Sequence, residues 1–137
     1  MEIHITDTAS DADSAELRNK ILEFNFATTG YYDGRSLSCF LRDESGALFA
    51  GIDGFTWGGY ARVDYLWVAA TRRRRGLGRA LLAAAEDEAR RRGCKTIVLD
   101  THTFQAPDYY PALGYEQVGA TVDTPVGFGK LVFQKRL

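Results

Sequence analysis

Val68-Ala69-Ala70-Thr71-Arg72-Arg73-Arg74-Arg75-Gly76-Leu77-Gly78-Arg79 is the stretch on which the reading of this chain turns. A β-rich run, Tyr60–Val68, enters it, and a helical run over 79–92 leaves it. The first amides of a helix have no partner inside it. They also sit at the positive end of the helix dipole, so such a turn favours an anion. Gly76 and Gly78 lack Cβ and let main chain approach a ligand closely. Successive amides in such a turn form a nest that can hold a diphosphate, and the arginines add bidentate donors at its rim. A P-loop is excluded, because no Lys-Ser/Thr follows the glycines. A dinucleotide-binding fold is also a poor match, since it needs three glycines in a strand–helix–strand unit near its start. The strand before and the helix after argue against a merely solvated basic turn.

Working outward, 79–92 is the clearest helix: Leu81, Leu82, Ala85 and Ala89 form its apolar side. Glu86–Arg90, Asp87–Arg91 and Glu88–Arg92 are i,i+4 pairs with the acid leading. Gly93 is the expected C′ residue, and Arg90-Arg91-Arg92 reads as a solvated end that complements the dipole. Lys95–Thr103 returns as a strand, and the crossover makes it a parallel neighbour of Tyr60–Val68. Upstream, Leu37–Arg42, Ala47–Phe55 and Tyr60–Val68 read as an antiparallel meander, with Gly58-Gly59 at the second reversal. Glu2–Asp7 alternates like a short strand. A helix follows, with Asp13 as N-cap, Glu16 as its capping-box partner and an end near Ala27. Downstream come a short helix near Ala106–Leu113, begun by Pro107 and stopped by Gly114, and the strands Tyr115–Thr121 and Gly127–Arg136. The order predicts an α/β fold with a mixed central sheet of six to seven strands and flanking helices, in one domain spanning residues 1–137.

Composition narrows the function classes. The 137 residues are 45% apolar and 26% charged, with a formal net charge of -1. That is an ordinary globular balance, with no field to draw nucleic acid. No run is apolar enough to span a bilayer, and the start lacks a signal-peptide layout. Cys39 and Cys94 make no disulfide framework, so reduced thiols and a cytoplasmic location are expected. Two cysteines and two histidines at these spacings match no zinc signature, and no metal is expected. Charge is uneven: residues 62–95 carry ten bases against four acids, which suits a small polyanion.

With the turn in place, the chain resembles the GNAT superfamily of N-acetyltransferases. The family's Arg/Gln-x-x-Gly-x-Gly/Ala pattern stands here as Arg73-Arg74-Arg75-Gly76-Leu77-Gly78. A second signature, an aromatic pair followed by two variable residues and Leu-Gly-Phe/Tyr, stands as Tyr109-Tyr110-Pro111-Ala112-Leu113-Gly114-Tyr115. The resemblance implies acetyl-CoA as co-substrate, with the amides of Arg74, Arg75, Gly76, Leu77, Gly78 and Arg79 around its diphosphate. Trp67, Val68 and Ala69 would bind the pantetheine arm through main chain, in a gap where two parallel strands splay apart beside a bulge. Tyr110 stands at the position of the acid that protonates the leaving thiolate. Thr103 takes the place of an asparagine that touches the arm, and Gln105 offers a replacement amide.

The proton acceptor is open among three options. His102 has a suitable unperturbed pKa. Asp64 lies on the strand leading to the cofactor and, by alternation, shares a face with Arg62 and Leu66. A water chain serves equally well. The acceptor is expected to be a primary amine, drawn by Glu23, Asp33 and Asp64 toward an aromatic rim of Tyr31, Tyr32, Trp57 and Tyr60. Family members are often homodimers. The competing readings are an inactive acyl-CoA sensor and a basic nucleic-acid adaptor; the second conflicts with the neutral net charge, and neither membrane nor nucleic acid is an expected partner.

Overall fold

The computed structural model describes residues 1–137, which form two units, Met1–Tyr32 and Asp33–Leu137. In the first unit, helix α1 spans Asp11–Thr29. Its N-cap is Ser10, not Asp13: the Ser10 side chain accepts from the Asp13 amide at 3.1 Å, so the helix starts one turn sooner. It ends on Gly30, whose left-handed conformation (φ 74°) lets its amide reach the Phe26 carbonyl at 2.8 Å. The strand expected over Glu2–Asp7 does not form. Alternation orients side chains but supplies no partner ladder, and the segment's side-chain contacts are local: His4 with Glu2, and Thr6 with Thr8.

The second unit is built on a seven-stranded mixed sheet. Its strands are β1 Arg35–Ser36, β2 Cys39–Arg42, β3 Leu48–Trp57, β4 Tyr60–Val68, β5 Thr96–His102, β6 Glu116–Val122 and β7 Gly129–Arg136. The order is β1-β3-β4-β5-β7-β6, with β2 also paired to β3. The expected strand Leu37–Arg42 is shortened to Cys39–Arg42, since Leu37 turns into the core, and a two-residue strand, Arg35–Ser36, precedes it. β3 and β4 form the predicted hairpin about Gly58-Gly59, and β4 and β5 are parallel, as the crossover requires.

Helix α2, Leu77–Arg91, covers one face of β3 and β4. Leu81, Leu82, Ala85 and Ala89 are buried there with Ala50, Ile52, Ala61, Val63, Ile97, Leu99 and Phe133. The helix ends as Gly93 foretold. The Gly93 amide bonds the Arg90 carbonyl at 3.0 Å and the Cys94 amide the Ala89 carbonyl at 2.9 Å, the paired bonds of a Schellman stop.

Two expectations about this helix change. Arg92 is not solvated: its guanidinium donates to the Ser36 carbonyl (2.8 Å), Thr56 Oγ1 (3.1 Å) and Glu88 Oε1 (2.9 Å). Glu86 is buried and its close partner is Lys135 of β7, with Arg90 at 4.0 Å. The Lys135 ammonium also donates to the Leu113 carbonyl at 3.0 Å, tying the connection after β5 to both elements. That connection contains only a single 3₁₀ turn, Pro111–Leu113, in place of the helix expected from Ala106. Pro111 has no N–H to close an α-helical bond, so the chain closes tighter bonds, Leu113 to Tyr110 and Gly114 to Pro111.

Arg92→Ala should lower unfolding stability by about 2 kcal/mol, because it leaves the buried Thr56 hydroxyl and the Ser36 carbonyl without this charged donor. Urea denaturation checks this; an unchanged midpoint would show the clamp carries no weight.

Candidate active site

The site begins where β4 and β5 part. Their parallel pairing covers only Tyr60–Arg62 with Thr96–Val98. Both strands run on, to Val68 and His102, without pairing further. A bulge lies at the parting: Asp53 faces Tyr65 and Gly54 faces Val63, so Asp64 is the extra residue. The bulge reverses the alternation of β4. Ala61 and Val63 face the α2 side before it, and Leu66 and Val68 join that core after it. Leu66 therefore does not share a face with Arg62, as simple alternation implied.

At the far end of β4 the chain enters the arginine turn. The Ala69 amide still bonds the Phe49 carbonyl of β3 at 2.8 Å. The Val68 carbonyl accepts from Arg73 Nε at 2.8 Å, and the Arg72 guanidinium lies 4.0 Å from the Phe49 ring centroid. Two of the four arginines thus pin the turn to the sheet. Arg74 (φ 62°) and Gly76 (φ 78°) are both left-handed. This folds the chain sharply into α2, with Gly76 as N-cap. No side chain caps that helix start. Its first intrahelical bond is Ala80 to Gly76 (2.9 Å), which leaves the amides of Leu77, Gly78 and Arg79 for a ligand. A Cβ on Gly78 would come within 3.3 Å of the Tyr109 hydroxyl and 3.6 Å of Val68 Cγ2. The helix start, the end of β4 and Tyr109 are therefore brought together around a glycine. Uncapped amides beside an open strand edge fit a diphosphate with an attached arm.

Tyr110 is 9% exposed and packs on Tyr109, Tyr115 and Phe133, with centroids 5.4–5.8 Å away. Burial, reinforced by neighbouring Tyr109, pushes its pKa above the ordinary tyrosine value. Burial also raises Tyr109, against the opposing charge of Arg79. Tyr109, the first member of the aromatic pair and an alternative to Tyr110 in the motif, is the one whose hydroxyl is placed at the helix start.

On the opposite face of the sheet, Asp100 and His102 alternate along β5 as predicted. His102 Nδ1 lies 2.8 Å from the Thr124 carbonyl. A carbonyl only accepts, so Nδ1 carries a proton, and in the neutral ring the lone pair is on Nε2. The ring stacks on Phe104 (4.9 Å, 7°), and Phe104 meets Phe128 edge-on at 5.1 Å. Arg62 Nε donates to Asp64 at 3.0 Å and Arg62 Nη2 to Asp100 at 2.9 Å. Burial works against the Arg62 cation, but its bonds to Asp100 and Asp64 more than offset this and raise its pKa.

Thr103 and Gln105 are engaged by main chain. Thr103 Oγ1 accepts from the Gly129 amide at 3.1 Å, and Gln105 Oε1 from the His102 amide at 2.8 Å. Trp67 stands half-exposed on β4. Of the proposed rim, Trp57 and Tyr60 meet edge-on at 6.1 Å, and Asp33 caps the hairpin by accepting from the Gly58 amide. Within the other unit, Tyr32 packs on Phe26. No group of three His, Cys, Asp or Glu side chains is gathered anywhere in the chain.

An open parallel edge beside an uncapped glycine turn offers main-chain groups to a ligand with an anionic end. Comparison with known proteins gives the family. The profile of the Acetyltransferase (GNAT) family matches residues 6–115. An acetyltransferase of Agrobacterium fabrum is 31% identical over 120 residues, 88% of each chain. Blasticidin-S acetyltransferase of Streptomyces morookaense is 38% identical over 95 residues, 69% of this chain and 70% of its own. A crystal structure of an acetyltransferase from Bacillus cereus superposes with a TM-score of 0.82 at 29% identity, over 98% of both chains. The chain belongs to the GNAT family of acetyltransferases, whose co-substrate is acetyl-CoA.

Gly76→Ala should cost about 1–2 kcal/mol, the penalty of a left-handed conformation for a residue with Cβ. Gly78→Ala should cost less, since its Cβ would press on a side-chain tip without backbone strain. Parallel urea titrations of the two variants check the order.

Proposed function

We propose that this acetyltransferase moves the acetyl group of acetyl-CoA to a primary amine by direct attack on the thioester, with residues 1–137 acting as one catalytic domain. The observation that carries the reading is the β4–β5 gap, which opens after three residue pairs of ladder, next to the uncapped start of α2.

Acetyl-CoA supplies an acetyl group activated as a thioester. The amides from Arg74 to Arg79 hold its diphosphate, and the free edge of β4 at Trp67-Val68-Ala69 aligns the arm. The Val68 carbonyl has a second lone pair beside its bond to Arg73. His102 accepts the amine proton at Nε2, since Thr124 occupies Nδ1. Asp64 is the less available acceptor, because its carboxylate already accepts from Arg62. A β4 amide facing the gap stabilises the developing oxyanion. As the amine nitrogen bonds the acetyl carbon and the C–S bond breaks, Tyr110 gives its phenolic proton to the sulfur. Burial keeps Tyr110 protonated, and its raised pKa makes it a weaker acid than a free phenol. Thr103 and Gln105 serve by ordering the loop after β5.

The first acceptor to try is blasticidin S, the compound named for the Streptomyces morookaense relative. Two unpaired cysteines suit a cytoplasmic setting. The outer edge of β6, at the end of the sheet, suits pairing with a second copy in a homodimer.

Incubation with acetyl-CoA and an amine panel, reading free CoA, tests the activity; no CoA release with any amine would overturn it. Tyr110→Phe should lower kcat at least tenfold while leaving acetyl-CoA affinity within about threefold, as expected for loss of a proton donor. Equal losses in both would refute its role. The neutral phenol is the active form and its pKa is raised, so Tyr110 should cause no fall in kcat below about pH 10. A Tyr110-dependent alkaline limb at lower pH would contradict that.

A further inference from the structure

A gap between two parallel strands needs a physical reason to stay open. Beyond Arg62 and Val98, β4 and β5 present unpaired edges to one another. Closing them would form main-chain hydrogen bonds, and unpaired buried backbone is costly. The bulge at Asp64 diverts β4 just past the point where pairing stops.

One side chain spans the divide where pairing stops. Arg62 belongs to the last paired couple of the ladder. Its Nε donates to Asp64, the bulged residue of β4, at 3.0 Å. Its Nη2 donates to Asp100 of β5, two residues past the last paired position, at 2.9 Å. Lys130 of β7 stands 3.8 Å from the other Asp100 oxygen and steadies that carboxylate from behind. The Arg62, Asp64 and Asp100 side chains are 35%, 38% and 26% exposed, so the bridge is partly shielded from solvent. A guanidinium is planar and presents its donors in a rigid fork. Two different nitrogens gripping carboxylates on two strands hold those strands at one separation. A lysine, as a point charge on a flexible stem, could not.

We propose that Arg62 is a positioning residue: the Asp64–Arg62–Asp100 bridge holds the β4–β5 opening at the width that admits the acetyl-CoA arm. This rests on reading that opening as the acetyl-CoA slot. Its effect is on binding of the arm.

The test compares wild type, Arg62→Met, Arg62→Lys and the double variant Arg62→Met/Asp100→Ala. Acetyl-CoA affinity is read by calorimetry, the two KM values by steady-state kinetics, and amide hydrogen exchange over residues 63–68 and 99–102 without ligand. Arg62→Met should raise the KM and Kd for acetyl-CoA at least tenfold and change the KM for the amine less than threefold. Exchange over the two strand segments should slow as they close together. Arg62→Lys keeps the charge and most of the stem; it should show a several-fold rise and decides the matter if Arg62→Met fails to fold. The double variant should bind no worse than Arg62→Met, since both remove one bridge. Unchanged acetyl-CoA affinity in both single variants would overturn the proposal, and so would equal rises in both KM values, the mark of general damage. If wild type itself fails to bind acetyl-CoA, the slot reading falls and the proposal with it. That outcome is distinct from failure of the bridge, in which wild type binds and the variants bind equally well.

Discussion

Three residue pairs of parallel ladder are the constraint on which the rest of this structure depends. Had β4 and β5 paired along their full length, the sheet would be an ordinary α/β core with no main chain to offer a ligand. Because the ladder stops at Arg62 and Val98, the outer half of β4 keeps an open edge. α2 leaves the end of that strand after a sharp turn, so the helix start and the open edge share one region. The polar network of Arg62, Asp64 and Asp100 lies at the fork of the two strands, and His102 stands two residues along β5 from Asp100.

Much of this was legible in the residues. The strand Tyr60–Val68 has the boundaries its residues predict, and Gly93 stops the helix as its place in the sequence implies. The glycine-arginine turn was recognisable because a β-rich run and a 3.6-residue pattern flank it, and both signals are local.

What was not legible depends on partners distant in sequence. The Glu2–Asp7 alternation looked like a strand, but a strand exists only where a neighbour completes its hydrogen bonds. The bulge at Asp64 depends on the register with β3, and one extra residue undid the face assignment of Leu66. Arg92 looked like a solvated helix end because its acceptors, Ser36 and Thr56, lie 56 and 36 residues away. The free nitrogen of His102 depends on Thr124, 22 residues on, across a hairpin. In the aromatic pair, sequence pattern singled out Tyr110, while folding put the hydroxyl of Tyr109 beside Gly78.

Four alanines stand in the core beneath α2. Ala50, Ala61 and Ala89 are wholly buried, and Ala85 nearly so, in the cluster that joins the helix to β3 and β4. Side chains this short let a helix axis ride low over a sheet, and close-packed interiors transmit a change in volume as displacement. The altitude of α2 is thereby coupled to the place where its first amides meet the end of β4. A single added methylene far from any ligand would act as a shim, lifting the helix and carrying the anion-binding turn with it.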